Sequence, residues 1–139
     1  MAVGLLVFCA LLNFFGFAFQ LFEPVFLYDE VAHLVTPFVL VALLCELLYR
    51  VGYHDDFFRN PPQAAFTGAV IGFVGAVLWE LVEVMLAALG FGISNALPDS
   101  SFDVLLGVLG GALGGWYADR YLDGLFNRSR VAPKAPRVR

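Results

Sequence analysis

Charge is what this 139-residue chain has least of: 14% of its residues are charged, against 60% hydrophobic and 16% aromatic. A soluble domain of this length cannot hide such an apolar excess, so the composition predicts a polytopic helical membrane protein. Basic residues are scarcer still, eight in all, confined to one short connection and the C-terminal end. That leaves no basic surface for a nucleic acid, and no nucleic-acid partner is expected. The two cysteines, Cys9 and Cys45, lie far apart in apolar segments. Without clustered spacing they argue against a structural zinc site or a disulfide framework and behave as small packing hydrophobes. The N-terminal stretch lacks a basic leader and a small-residue cleavage site before Glu23-Pro24, so it is expected to stay as a helix rather than act as a secretion signal. No nucleophile triad, phosphate-binding glycine loop or nucleotide motif is present.

What the chain does have is apolar runs near the roughly 20-residue length that crosses a bilayer. Four are predicted: about Val3 to Phe22, Asp29 to Arg50 with Pro37 as a tolerated kink, Gln63 to Leu89, and Ser100 or Ser101 to about Tyr117. The last is short, and Tyr121, Leu122 and Leu125 are expected to extend it along the interface. Residues 1–126 thus form a compact four-helix transmembrane domain, and 127–139 a basic, disordered tail. Arg50, Arg59, Arg120, Arg128, Arg130, Lys134, Arg137 and Arg139 all fall on one side of this map. The positive-inside rule then puts both termini in the cytoplasm of a multi-pass protein of the cell's inner or plasma membrane. Trp116 and Tyr117 suit an inner aromatic belt, and Tyr28 an outer one.

Small residues recur every four positions at Gly68, Gly72 and Ala76, leading to Glu80, and at Gly107, Gly111 and Gly115, leading back to Asp103. Such ridges let membrane helices approach closely, and these two are predicted to face each other. The same glycine-rich faces offer a route to a homo-oligomer. Asp29 and His33 share a helical face, as do Glu80 and Glu83. All of them, with Asp103, sit toward the outer side. An ionised side chain near a helix centre costs about 2.5–3.5 kcal/mol on insertion, so these acids must be neutralised by shared protons, by protonated His33 or by a bound cation. One histidine with several carboxylates suits a divalent Zn, Mn or Fe ion. The expected ligands are His33, Glu80, Glu83 and Asp103, with Asp29 orienting His33.

Local roles compete with that reading. Asp29 is placed to cap the second helix, and Ser100-x-x-Asp103 resembles a capping box. His33 is placed to bond the backbone freed by Pro37. Glu46 and Arg50 form a solvated i,i+4 pair, His54, Asp55 and Asp56 an exposed loop, and Asn13 and Gln20 are suited to interhelical hydrogen bonds.

The order Tyr28-Asp29-x-x-x-His33, then Leu78-Trp79-Glu80-Leu81-x-Glu83, then Asp99-x-x-x-Asp103 with a glycine-rich continuation resembles the YjdF-like bacterial inner-membrane family over the last three spans. The Asp-x-x-x-His opening and the stretch from Asp103 through Gly107 to Gly111 are also similar to VanZ-like proteins. These resemblances imply a helical membrane fold, an acidic-histidine signature and a link to the cell envelope. The reading is therefore an outer-side divalent-cation site, with a lipid or lipid-linked compound as substrate if the ion activates water. A proton-linked or ion transporter, and a structural or accessory subunit, are the alternatives.

Overall fold

The computed structural model describes residues 2–22, 24–90 and 97–125. They form five helices joined by turns, with no strand among the described residues: α1 is Ala2–Ala18, α2 Tyr28–Val51, α3 His54–Phe57, α4 Pro61–Ala88 and α5 Leu97–Leu125. By length and composition α2 and α4 can each cross a membrane, and α1 is a shorter apolar helix.

α1 ends sooner than its apolar run. Gln20 takes a left-handed conformation (φ 50°), Leu21 N–H reaches back to the Gly16 carbonyl at 2.9 Å, and Gln20 N–H reaches that of Phe17. This pattern terminates a helix even though glutamine stands where glycine is usual. The Phe22 ring then folds against Gly16 and sits 5.1 Å from Phe17 and 5.6 Å from Tyr28. α2 closes in the same way on Gly52 (φ 85°), where the missing Cβ removes the strain.

The expected polar connection holds more structure than a loop. α3 forms within it, and Phe58 after it is wholly buried with Val41, Cys45, Ala64 and Ala118. α4 starts two residues before the expected position: Asn60 accepts a bond from Gln63 N–H at 3.0 Å, with Pro61 and Pro62 in the first turn. α5 likewise begins at Leu97, so Ser100 lies inside the helix and cannot cap it. Ser101 spends its hydroxyl on the Leu97 carbonyl at 2.7 Å, and the capping-box reading of Asp103 is corrected. Asp29 does not cap α2 either, because the capping position belongs to Leu27, with no side-chain bond. Residues 91–96 and the tail from 126 onward, where a loop and disorder are expected, lie outside the described residues.

α5 is the central element. Ala64, Gly68 and Gly72 of α4 meet Gly115, Gly111 and Gly107 so closely that a Cβ on Gly68, Gly72, Gly111 or Gly115 would enter the facing backbone. The pairing order, ascending on one helix and descending on the other, makes α4 and α5 antiparallel. A second glycine face, Gly110 and Gly114, lies against the carbonyls of Leu34 and Phe38. That order makes α2 and α5 parallel. Any association of copies through these glycines would have to displace contacts made within the chain.

Burial is inverted relative to a water-soluble protein. His33, Glu46, Glu80 and Asp103 are buried, while Phe73, Leu78, Leu81, Leu105, Leu109 and Leu113 are exposed. Large apolar side chains outside and polar ones inside suit a hydrocarbon surrounding. Cys9 and Cys45 are buried and form no disulfide with each other, as expected of packing thiols. Glu46 departs from the sequence reading. It takes Arg50 Nε at 2.6 Å as expected, yet the carboxylate is buried rather than solvated.

Candidate functional site

The antiparallel and parallel pairings bring three helix ends to one level: the start of α2, the end of α4 and the start of α5. All five residues singled out from the sequence meet there. His33 Nε2 stands 3.3 Å from Asp29 Oδ1, one turn away on α2, and 3.9 Å from Glu83 Oε1 on α4. Two overlapping sets share the imidazole, Asp29–His33–Asp103 and His33–Glu80–Glu83, and within each set one donor atom per residue lies within 4.8 Å of the others. Two ligands of one transition-metal ion, each about 2.1 Å from it, stand at most about 4.2 Å apart, so these sets need only small closing movements.

Glu80 is the residue hardest to explain by packing. It is 9% exposed, and neither carboxylate oxygen has a hydrogen-bond partner among the described residues. Unsatisfied buried polar atoms are rare because losing water without replacement costs about 1–3 kcal/mol, and more for a charge. The small-residue ridge accounts for its position: Gly72 and Ala76 hold α4 against α5, and Glu80, one turn on, is carried into the same seam. Asp103 occupies the matching place on α5, one turn before Gly107, and is 3% exposed.

Pro37 shapes the α2 side of the site. It has no N–H, so the carbonyl one turn earlier, that of His33, loses its helical donor. The helix stays unbroken across the proline, and Gly110 and Gly114 of α5 lie close against it at Leu34 and Phe38.

Two residues escaped the sequence reading as parts of the site. Trp79 donates Nε1–H to Glu83 Oε1 at 2.8 Å, and its ring lies 5.6 Å from that of Phe17. The signal was available in the i,i+4 spacing of Trp79 and Glu83. Tyr28, expected in an outer aromatic belt, gives its hydroxyl to the Leu12 carbonyl at 2.6 Å and ties α1 to the start of α2. Asn13 adds a second tie, to Thr36 Oγ1 at 3.0 Å, which is an interhelical bond of the expected kind. Gln20 instead supplies the left-handed turn and is exposed.

Beside the cluster lies a cavity of about 470 Å³ between α1, α2 and α4. Its wall is apolar except for His33, Trp79, Asn13 and Thr36.

No curated protein and no solved structure matches the chain. Nothing in the comparisons supports the VanZ-like resemblance, whereas the YjdF-like one points to the family whose model matches. That match runs from residue 1 to residue 124, past the last three spans to include α1 and every residue of the cluster, and the chain belongs to the family described as "Predicted membrane protein (DUF2238)".

Proposed function

We propose that this protein binds a divalent cation inside the membrane, through His33, Glu80, Glu83 and Asp103, on the outer side of a four-span bundle with both termini cytoplasmic. The observation that carries the proposal is the buried, unpartnered carboxylate of Glu80 beside His33 and Glu83. A cation supplies the partner that Lys or Arg would otherwise provide, and no lysine or arginine is paired with these carboxylates among the described residues. The imidazole with carboxylate donors favours Zn, Mn or Fe over Mg or Ca.

Asp29 takes a different part from the one its spacing suggested. An orienting carboxylate holds the ring nitrogen remote from the metal. Asp29 instead approaches Nε2, the nitrogen that also faces Glu83. This supports a role as a further ligand. With an open position, the ion would activate water against a lipid or lipid-linked compound. The positive-inside distribution supports the orientation and placement in the inner or plasma membrane.

Elemental analysis of the purified protein tests the proposal. Stoichiometric metal in the wild type and its loss in His33→Ala are expected; no metal in either form defeats the reading. Ion uptake by proteoliposomes that disappears in Glu80→Gln would establish transport in its place, and full cellular function of both variants would reduce the cluster to a structural role.

A further inference from the structure

The cavity between α1, α2 and α4 is not needed to hold the four helices together. α2 and α4 each pack on α5 and also approach one another, and α1 leans on α2, with no backbone approach between α1 and α4 among the described residues. The rings of Phe17 and Trp79, 5.6 Å apart, bring the two helices into contact at the level of the acidic cluster. Away from that contact the space is walled by Leu6, Leu40 and Gly75, all exposed, so it opens sideways toward the surroundings of the bundle.

Its dimensions select one kind of occupant. On α2 the wall runs from Ala32 to Val41, which is about 14 Å of helix. The volume of about 470 Å³ lies within the roughly 300–1,000 Å³ of pockets that hold one small ligand. The exposed side chains around the mouth are hydrocarbon, and at this depth the available filling is lipid rather than water. One end of the space is different: His33 is on its wall, and Trp79, also on its wall, is bonded to Glu83. A chain lying in the cavity would therefore bring its polar end to the cluster.

The charge of the cluster decides what that end can be. Four carboxyl groups, from Asp29, Glu80, Glu83 and Asp103, face one imidazole. Even a dication leaves an excess of negative charge if all four are ionised, so an anionic head would meet repulsion in a medium of low dielectric. We propose that the cavity holds the single hydrocarbon chain of a lipid with an uncharged polar head, a hydroxyl being the simplest, which enters sideways between α1 and α4 and places its oxygen beside His33. The inference rests on the cluster proposed above as the polar end of the cavity, and not on an ion filling it.

The experiment is photolabelling in proteoliposomes with a long-chain alcohol carrying a mid-chain diazirine, and with the phosphate monoester of the same chain, followed by peptide mapping. Metal content is measured on the same preparations. Label from the alcohol is expected on the cavity-lining residues of α1, α2 and α4, on α4 at Ile71, Ala76 and Trp79 rather than at Phe73 or Leu78. The phosphate is expected to label at least about tenfold less. Gly75→Leu fills the cavity: a Cβ there has nothing within 4 Å, so the helix accepts the change. It is expected to lower the labelling about tenfold or more with metal content unaltered. Val74→Leu, on the exposed neighbouring face, should label as the wild type does. Labelling that survives Gly75→Leu, or that spreads over Phe73, Leu78 and Leu105, overturns the proposal, as does equal labelling by the phosphate. Absence of metal with selective, Gly75-dependent labelling would defeat the cation reading and leave the lipid site standing.

Discussion

Replacing Glu80 by glutamine perturbs the site where its stability and its proposed ligand pull in opposite directions. The side chain is 9% exposed and both oxygens lack partners. In chelator, the wild type buries a carboxyl group with no hydrogen-bond partner; left ionised it carries an effective penalty of several kcal/mol, whereas an unpaired amide costs about 1–3 kcal/mol. Glu80→Gln should therefore be more stable than the wild type by about 1–2 kcal/mol without metal. With metal the order reverses. At a free concentration of about 100 times Kd the wild type gains about 2.7 kcal/mol, and a variant binding about 100-fold more weakly gains only about 0.4 kcal/mol. Thermal unfolding in detergent, run on both proteins in chelator and in a series of metal concentrations, should give curves that cross. A purely structural glutamate would shift the variant in the same direction in both media, and parallel curves would refute the reasoning.

The remaining predictions concern the elements that hold the cluster. Gly111→Ala should destabilise by about 1–3 kcal/mol, because its Cβ would press on the Gly68 carbonyl and stand 2.9 Å from Gly72 Cα, whereas Gly75→Ala, with open space, should be neutral or slightly stabilising; denaturant unfolding compares the two. Trp79→Phe removes the 2.8 Å bond to Glu83 while leaving an aromatic ring to meet Phe17, and should weaken metal binding by about 10- to 100-fold in calorimetry without loss of the fold. Tyr28→Phe gives up the hydroxyl bond to Leu12, worth about 0.5–1.5 kcal/mol, and should speed hydrogen exchange in α1 while sparing α4 and α5.

The family match makes the position of α1 informative. The motifs that carry the YjdF-like resemblance lie in α2, α4 and α5, yet residues 1–124 all belong to the family's pattern. α1 contributes no acid or histidine to the cluster among the described residues. Its contribution is a wall: it closes one side of the apolar cavity and is moored by Tyr28 and Asn13. The lipid proposal gives that wall a purpose, while the cation proposal alone does not.

The sequence by itself determined whatever depends on residues close along one helix. Apolar runs located the long helices, the four-residue spacing of small residues fixed which faces of α4 and α5 approach, and the Asp29–His33 and Glu80–Glu83 spacings put each pair on one side. These follow from the helical repeat and need no knowledge of neighbours. Tertiary structure alone decided what lies across from each face. Gly110 and Gly114 sit among other glycines, and only the packing shows that they receive α2, whereas the approach of Gly107, Gly111 and Gly115 to α4 follows the predicted ridge. Phe58 stands in a polar connection, and only the fold buries it. Ser100 and Asp103 have the letters of a cap, but α5 begins earlier, and Asp103 goes into the seam instead. The cavity belongs to the same class, because a space between three helices is a property of how they lean and no single helix carries its pattern.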